Sequence, residues 1–263
     1  MNILDEIIAH KKKEVEMLKA KTPMDLLEKS VHFGKPCLSM KKALKDEEKV
    51  GIIAEFKRKS PSKGIINADA KVAETTAGYE TAGASALSIL TDHKYFGGVS
   101  EDLGIGRKAS NIPILRKDFI IDEYQVVEAK SMGADVILLL ANVLSYHELK
   151  ELSTTAKFLG MEVLMEVRDK QDLDMVNILV DCVGVNNRNL QDFKVDVKQS
   201  FDLVGLIPKD IIRISESGID SAKTIHELRQ AGFNGFLIGE TFMKDKHPEV
   251  ACQKLINEIK NYK

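Results

Sequence analysis

A chain of 263 residues that is 44% apolar and 30% charged can bury a sizeable core, as one large α/β barrel or as two ordinary domains, and is no disordered tail. A formal net charge of −2 argues against a general nucleic-acid or membrane-surface binder, which needs a cationic excess or a strong basic patch. The three cysteines, Cys37, Cys182 and Cys252, are far apart with no CxxC pair, so they are read as reduced thiols of a cytoplasmic protein, with neither a disulfide framework nor a zinc site.

In chain order, Ile3, Leu4, Ile7, Ile8, Val15 and Leu18 recur at helical spacing and predict an amphipathic helix. Positive charge comes after this stretch instead of before it, the wrong order for a signal peptide, and no window approaches the roughly eighteen apolar residues of a membrane span. The Lys11 to Lys13 run is read as a solvated helix face. A second short helix is expected over Pro23 to Lys29. Residues 1–48 thus form a helical extension packed on the rest of the chain.

Eight strand-like runs come next: Gly51 to Glu55, Ala86 to Leu90, Ile112 to Leu115, Asp135 to Leu140, Glu162 to Glu166, Cys182 to Val185, Ile211 to Ile214 and Gly235 to Ile238. Most are continuously apolar and rich in Ile, Val and Leu, the pattern of parallel strands covered on both faces. Between them lie segments of helical spacing, among them Asp122 to Met132, Tyr146 to Leu159 and Ala222 to Ala231. Several end at a glycine suited to a left-handed helix cap, namely Gly83, Gly133 and Gly232. The alternation predicts a single (β/α)8 barrel over residues 1–263, the N-terminal extension included, with an open doubly wound sheet as the rival.

The chemistry of such a barrel gathers at the carboxyl ends of the strands. The first run delivers Glu55 and Lys57, two residues apart and so on one side of an extended chain. The second leads into an aromatic loop with Phe96, and the third into Leu115-Arg116-Lys117-Asp118-Phe119. The fifth ends at Glu166, the sixth at Asn186-Asn187-Arg188-Asn189, the seventh at Ser215-Glu216-Ser217-Gly218-Ile219 and the eighth at Gly239-Glu240. Taken singly, a strand-end lysine or glutamate is an ordinary exposed ion pair; Lys, Glu, Asn and Arg at ends that only a barrel brings together point to a site. Asp92 and His93 have no second ligand pair, so no metal is expected. His10, His32, His147, His226 and His247 are read as structural or exposed. Ser217, Gly218, Gly239 and Glu240 suit a phosphate, through backbone N–H groups and the Ser217 hydroxyl. For Glu240 this works if only its N–H faces the anion.

The segment Glu55-Phe56-Lys57-Arg58-Lys59-Ser60-Pro61-Ser62-Lys63-Gly64 closely resembles the signature of indole-3-glycerol phosphate synthases. The opening Ile3 to Ile8, Lys94-Tyr95-Phe96, Leu115 to Phe119, Glu166, Asn186 to Leu190 and Ser215 to Ile219 extend the likeness over nearly the whole chain. The resemblance implies a (β/α)8 barrel with an extra N-terminal helical segment. It implies ring closure, decarboxylation and dehydration of 1-(2-carboxyphenylamino)-1-deoxyribulose 5-phosphate, without a cofactor. Lys117 would be the general acid, its pKa lowered by Lys57, Arg188 and desolvation. Lys57 would hold the substrate carboxylate and stand as a second proton donor, with Glu55 and Glu166 as candidates for the base. Asn186 and Arg188 would hold carboxylate or hydroxyls, Pro61 and Phe96 would border the aromatic ring, and Ser60, Ser217, Gly218, Gly239 and Glu240 would hold phosphate. The chain is expected to be a monofunctional monomer, weak association with pathway enzymes being open. The loop Arg58 to Ile65 is expected to be mobile. The alternatives are another sugar-phosphate barrel isomerase and a non-catalytic barrel that binds a phosphorylated metabolite.

Overall fold

In the computed structural model, which describes residues 3–189 and 193–262, eight parallel strands close on themselves. They are β1 (Ile52–Phe56), β2 (Ala86–Leu90), β3 (Ile114–Lys117), β4 (Val136–Leu140), β5 (Glu162–Val167), β6 (Cys182–Asn186), β7 (Ile212–Glu216) and β8 (Gly235–Ile238). Each pairs with its neighbours in the chain, and β8 returns to β1 with Leu237 opposite Ile53. This is the expected (β/α)8 barrel. A closed ring leaves no edge strand, which the open sheet would have had.

The continuous apolar runs arise because both faces of each strand are covered. Ile53, Leu115, Leu138, Leu164, Ile214 and Leu237 point into the barrel and pack on one another. Ile52, Ala54, Leu87, Ile89, Val163 and Val185 point outward into the layer under the helices. β3, β6 and β7 run one to two residues past the apolar runs, so Lys117, Asn186 and Glu216 are strand residues. Polar side chains stay in the ladder there because they are paired. Arg116, 3% exposed, meets Glu128 at 2.7 Å and Asp118 at 3.2 Å.

Around the barrel lie α4 (Val72–Ala82), α5 (Ser100–Ala109), α6 (Glu123–Met132), α7 (Tyr146–Phe158), α8 (Lys198–Leu203), α9 (Ala222–Ala231), α10 (Glu240–Met243) and α11 (Pro248–Asn261). The expected caps Gly83, Gly133 and Gly232 end α4, α6 and α9 with φ of 98°, 92° and 112°. Between β5 and β6 there is only a single 3-10 turn, Asp172–Met175.

Three helices precede the barrel: α1 (Ile3–Lys21), α2 (Met24–Leu27) and α3 (Met40–Leu44). The first two residues of the expected 1–48 extension, and Leu190, lie outside the described residues. α3 plugs the amino end of the barrel. Met40 is fully buried, Leu44 packs with it against the inner strand residues, and the Ser39 hydroxyl donates to Glu162 at 2.5 Å. Burying a side chain like Met40 contributes roughly 1.5–3 kcal/mol.

α1 crosses the opposite end. There the expectation for Lys11 fails: Lys12 and Lys13 are exposed, but Lys11 is 1% exposed. Leu4, Ile7, Lys11 and Val15 succeed one another at three- and four-residue steps, so Lys11 lies on the buried stripe of the helix. Its ammonium meets Asp118 at 2.9 Å, Glu14 at 3.0 Å and Asp92 at 3.1 Å. Desolvation opposes that charge, but the three carboxylates outweigh it and raise the pKa above the usual lysine value. No helix among the described residues is long and apolar enough to cross a membrane.

Candidate active site

The two-residue period of a strand carries the inner face of the barrel into a cleft at its carboxyl end. Ile53 is followed on that face by Glu55 and then Lys57, Leu115 by Lys117, Leu164 by Glu166, Cys182 by Gly184 and Asn186, and Ile214 by Glu216. The cleft encloses about 900 Å³ with its open mouth included. Glu55, Lys57, Lys117, Glu166 and Asn186 all line it, as do Ser60, Pro61, Phe96, Arg188, Ser217 and Glu240.

At its base, two ammonium groups face three carboxylates. Lys57 Nζ donates to Glu55 Oε1 at 2.7 Å, and Ser88 Oγ donates to Glu55 Oε2 at 3.2 Å. Lys117 Nζ donates to Glu166 Oε2 at 2.9 Å and to Glu216 Oε2 at 2.5 Å. Asn186 Nδ2 donates to Glu166 Oε1 at 3.0 Å, so Asn186 orients that carboxylate. Glu216 is the surplus acid. It is 1% exposed, and among the described residues its Oε1 has no hydrogen-bond partner. Burial pushes its carboxyl up to about 7; Lys117 pulls the other way without cancelling this, and Glu166 pushes further. Glu55 moves in the opposite sense. Its burial is outweighed by Lys57 and Lys117, which hold it below the usual carboxylate range.

The expected lowering of the Lys117 pKa is overturned. Burial does favour the neutral amine, but Glu166, Glu216 and Glu55 together raise the pKa above the usual lysine value. The cations expected to crowd it are engaged elsewhere, Lys57 with Glu55 and Arg188 with Glu240 at 3.1 Å. Glu216 is the residue that sequence reasoning passed over. The signal was there: Ile212, Ile214 and Glu216 alternate on β7 as Ile53 and Glu55 do on β1.

One wall of the cleft is apolar. Ile3 and Ile7 of α1 face it with Leu138 and Leu140 of β4, and the rings of Phe96 and Phe119 lie 5.9 Å apart. The aromatic loop is held by Asp92, whose Oδ1 accepts from the N–H groups of Tyr95 at 2.8 Å and Phe96 at 3.2 Å. Asp92 therefore anchors that wall.

On the other side stand Ser60, Ser62, Arg188, Ser217 and Glu240. The Arg58 to Ile65 loop forms a small antiparallel ladder, Lys59 opposite Ile65 and Ser60 opposite Gly64. Arg58 clips it to Asp102, and Lys59 Nζ donates to the Lys94 carbonyl at 3.0 Å. Gly218 and Gly239 adjoin the lining residues Ser217 and Glu240 and permit close packing there. A Cβ on Gly239 would stand 2.5 Å from Glu55 Oε1, and one on Gly218 would stand 2.5 Å from Val195. Glu240 departs from expectation, because its carboxylate itself faces the cleft and pairs with Arg188. Among the described residues, the N–H groups of Ser217, Gly218 and Gly239 donate to no backbone carbonyl.

The family model for indole-3-glycerol phosphate synthase matches residues 4–255. An indole-3-glycerol phosphate synthase of Bacteroides thetaiotaomicron is 47% identical over 98% of this chain and 99% of its own length. One from Campylobacter jejuni is 42% identical over 97% of this chain and 100% of its own. Among solved structures, a 3-hexulose-6-phosphate synthase from Salmonella typhimurium covers 81% of this chain and 100% of its own with a TM-score of 0.63, but at 12% identity the likeness is one of fold. On family match and identity alike, the chain belongs to the indole-3-glycerol phosphate synthase family, and it is a carbon–carbon lyase of tryptophan biosynthesis.

Proposed function

We propose that the chain converts 1-(2-carboxyphenylamino)-1-deoxyribulose 5-phosphate to indole-3-glycerol phosphate with Lys117 as the general acid. The observation that carries this reading is the Lys117 ammonium at the base of the cleft, between Glu166 and Glu216 and below an apolar wall. The ring carbon that bears the carboxylate attacks the sugar carbonyl carbon, and the carbonyl oxygen takes a proton from Lys117. The bond to the carboxylate then breaks, its electrons return to the ring, and carbon dioxide leaves. Finally the new hydroxyl leaves as water with a proton from Lys57 or Lys117, while Glu166 or Glu55 removes the proton from the carbon beside nitrogen.

The raised pKa keeps Lys117 charged at the cost of acid strength, since a general acid works best with a pKa near the operating pH. The amine is fully protonated at neutral pH, and it gives up its proton only as a more basic alkoxide develops. Lys57 holds the substrate carboxylate, Asn186 and Arg188 hold carboxylate or hydroxyls, and Phe96 with Pro61 borders the aryl ring. Ser60, Ser217, Gly218 and Gly239 hold phosphate, with Glu240 steering Arg188. Acid, base and positioning suffice for this chemistry, without a cofactor. The N-terminal helices and the barrel act as one domain, as a monomer, in the cytoplasm.

The test is to mix the purified protein with this substrate and follow indole fluorescence. The chain contains no tryptophan, so product appears against a dark background. Turnover without added metal or cofactor supports the scheme. Tight binding with no turnover would overturn it in favour of a binding-only barrel.

A further inference from the structure

Ser217 has φ of 69°, a left-handed conformation that costs a non-glycine residue roughly 1–2 kcal/mol. Such a backbone persists only where its surroundings hold it. The holders are two consecutive residues. Asn186 and Asn187 point to opposite sides at the end of β6. Asn186 Oδ1 accepts from the Ser217 hydroxyl at 3.0 Å on the cleft side. Asn187 Nδ2 donates to the Ser217 carbonyl at 3.0 Å from the buried side, where Asn187 is 1% exposed.

We propose that Asn187 is a positioning residue for substrate binding, holding the Ser217–Gly218 turn so that its N–H groups face the phosphate. The inference rests on the reading of that turn as the phosphate site. Every hydrogen-bonding position of the Asn187 carboxamide is filled. Nδ2 also donates to Ser215 Oγ at 3.1 Å, while Oδ1 accepts from Ser200 N at 3.1 Å and Ser200 Oγ at 2.8 Å. Ser200 and Ser215 are fully buried and 2.7 Å apart, so the carboxamide has one orientation and no water competes for it. Its grip on Ser217 leaves the N–H groups of Ser217 and Gly218 without a backbone partner among the described residues, open to an anion. The residue touches no ligand; it acts through the turn.

The test is Asn187→Ala, read by KM, kcat, thermal midpoint and the competitive inhibition constant of inorganic phosphate. The expected result is a rise of about tenfold in both KM and the phosphate inhibition constant, with kcat within about twofold of wild type, which is one hydrogen-bonded anion contact's worth of binding. A fall in kcat with the phosphate constant unchanged would overturn the proposal, since Asn187 would then act on Asn186 and the chemistry. Unchanged constants throughout would overturn it as well. If phosphate does not compete in the wild type, the reading of the turn itself fails, a result distinct from failure of Asn187 alone. If the alanine variant does not fold, Ser200→Ala removes the hydroxyl bond to the carboxamide and is expected to raise the same two constants about two- to threefold; no rise would count against the proposal.

Discussion

Gly184 of β6 leaves the space that the Glu216 carboxylate of β7 occupies, because a Cβ on Gly184 would stand 2.2 Å from Glu216 Oε1. A glycine buried in a strand is weak in itself; here it admits an acid to the barrel interior. Gly184→Ala is expected to push Glu216 off Lys117 and lower kcat by about tenfold to a hundredfold, since a displacement of about 1 Å costs that much. Steady-state kinetics and circular dichroism together check it. A folded variant with wild-type kcat would show that the Glu216 contact is dispensable.

Lys117→Met should abolish turnover, by about 10²–10⁴-fold or more, and leave substrate binding measurable by titration. The substitution removes the cation that opposes the burial of Glu216, so the Glu216 carboxyl moves further upward. Retained turnover would remove Lys117 as the acid.

The Glu216 carboxyl is raised from 4.5 to about 7. A carboxyl raised on folding favours the folded state most below its unfolded value, and that contribution is lost as pH rises through the folded value. Wild type is therefore expected to lose stability relative to Glu216→Gln as pH climbs from 4.5 to about 7. Urea midpoints below, within and above that window measure the difference. Parallel curves for the two proteins would refute the assignment.

Lys11→Met leaves the buried Asp92 carboxylate without its cation and Asp118 with Arg116 alone, and is expected to cost about 3–5 kcal/mol. Burial pushes the Asp118 carboxyl up, but Lys11 and Arg116 hold it at about 2. A carboxyl depressed in this way stabilises the fold above its unfolded value of 3.8, and the contribution is lost as pH falls toward 2. In the variant this acid-labile contribution shrinks. Urea unfolding at neutral pH, with an acid titration alongside, separates the two effects; an unchanged neutral midpoint would mean that the buried pairs only offset their desolvation.

The barrel was legible in the amino-acid sequence because strand period and double burial are local properties: runs such as Asp135 to Leu140 show them without reference to any partner. Glu55 and Lys57 could be named for the same reason, since a two-residue period decides which side chains leave the core together, while Lys117, Glu166 and Asn186 were singled out from their strand ends by the family resemblance. The family likeness rested on contiguous segments, which also need no tertiary information. Other properties depend on which charges meet across the barrel. Lys117 and Glu216 are 99 residues apart in the chain, and only barrel closure brings their charged atoms within 2.5 Å. Together with Glu166 and Glu55, that contact makes the lysine pKa rise instead of fall. Lys11 looked like part of a solvated run until α1 docked its stripe over Asp92 and Asp118. The sequence by itself thus determined the architecture and pointed to most of the polar residues that line the cleft. Their charge states were decided only by the tertiary structure, because electrostatic energy depends on distance and burial between groups that the chain keeps far apart.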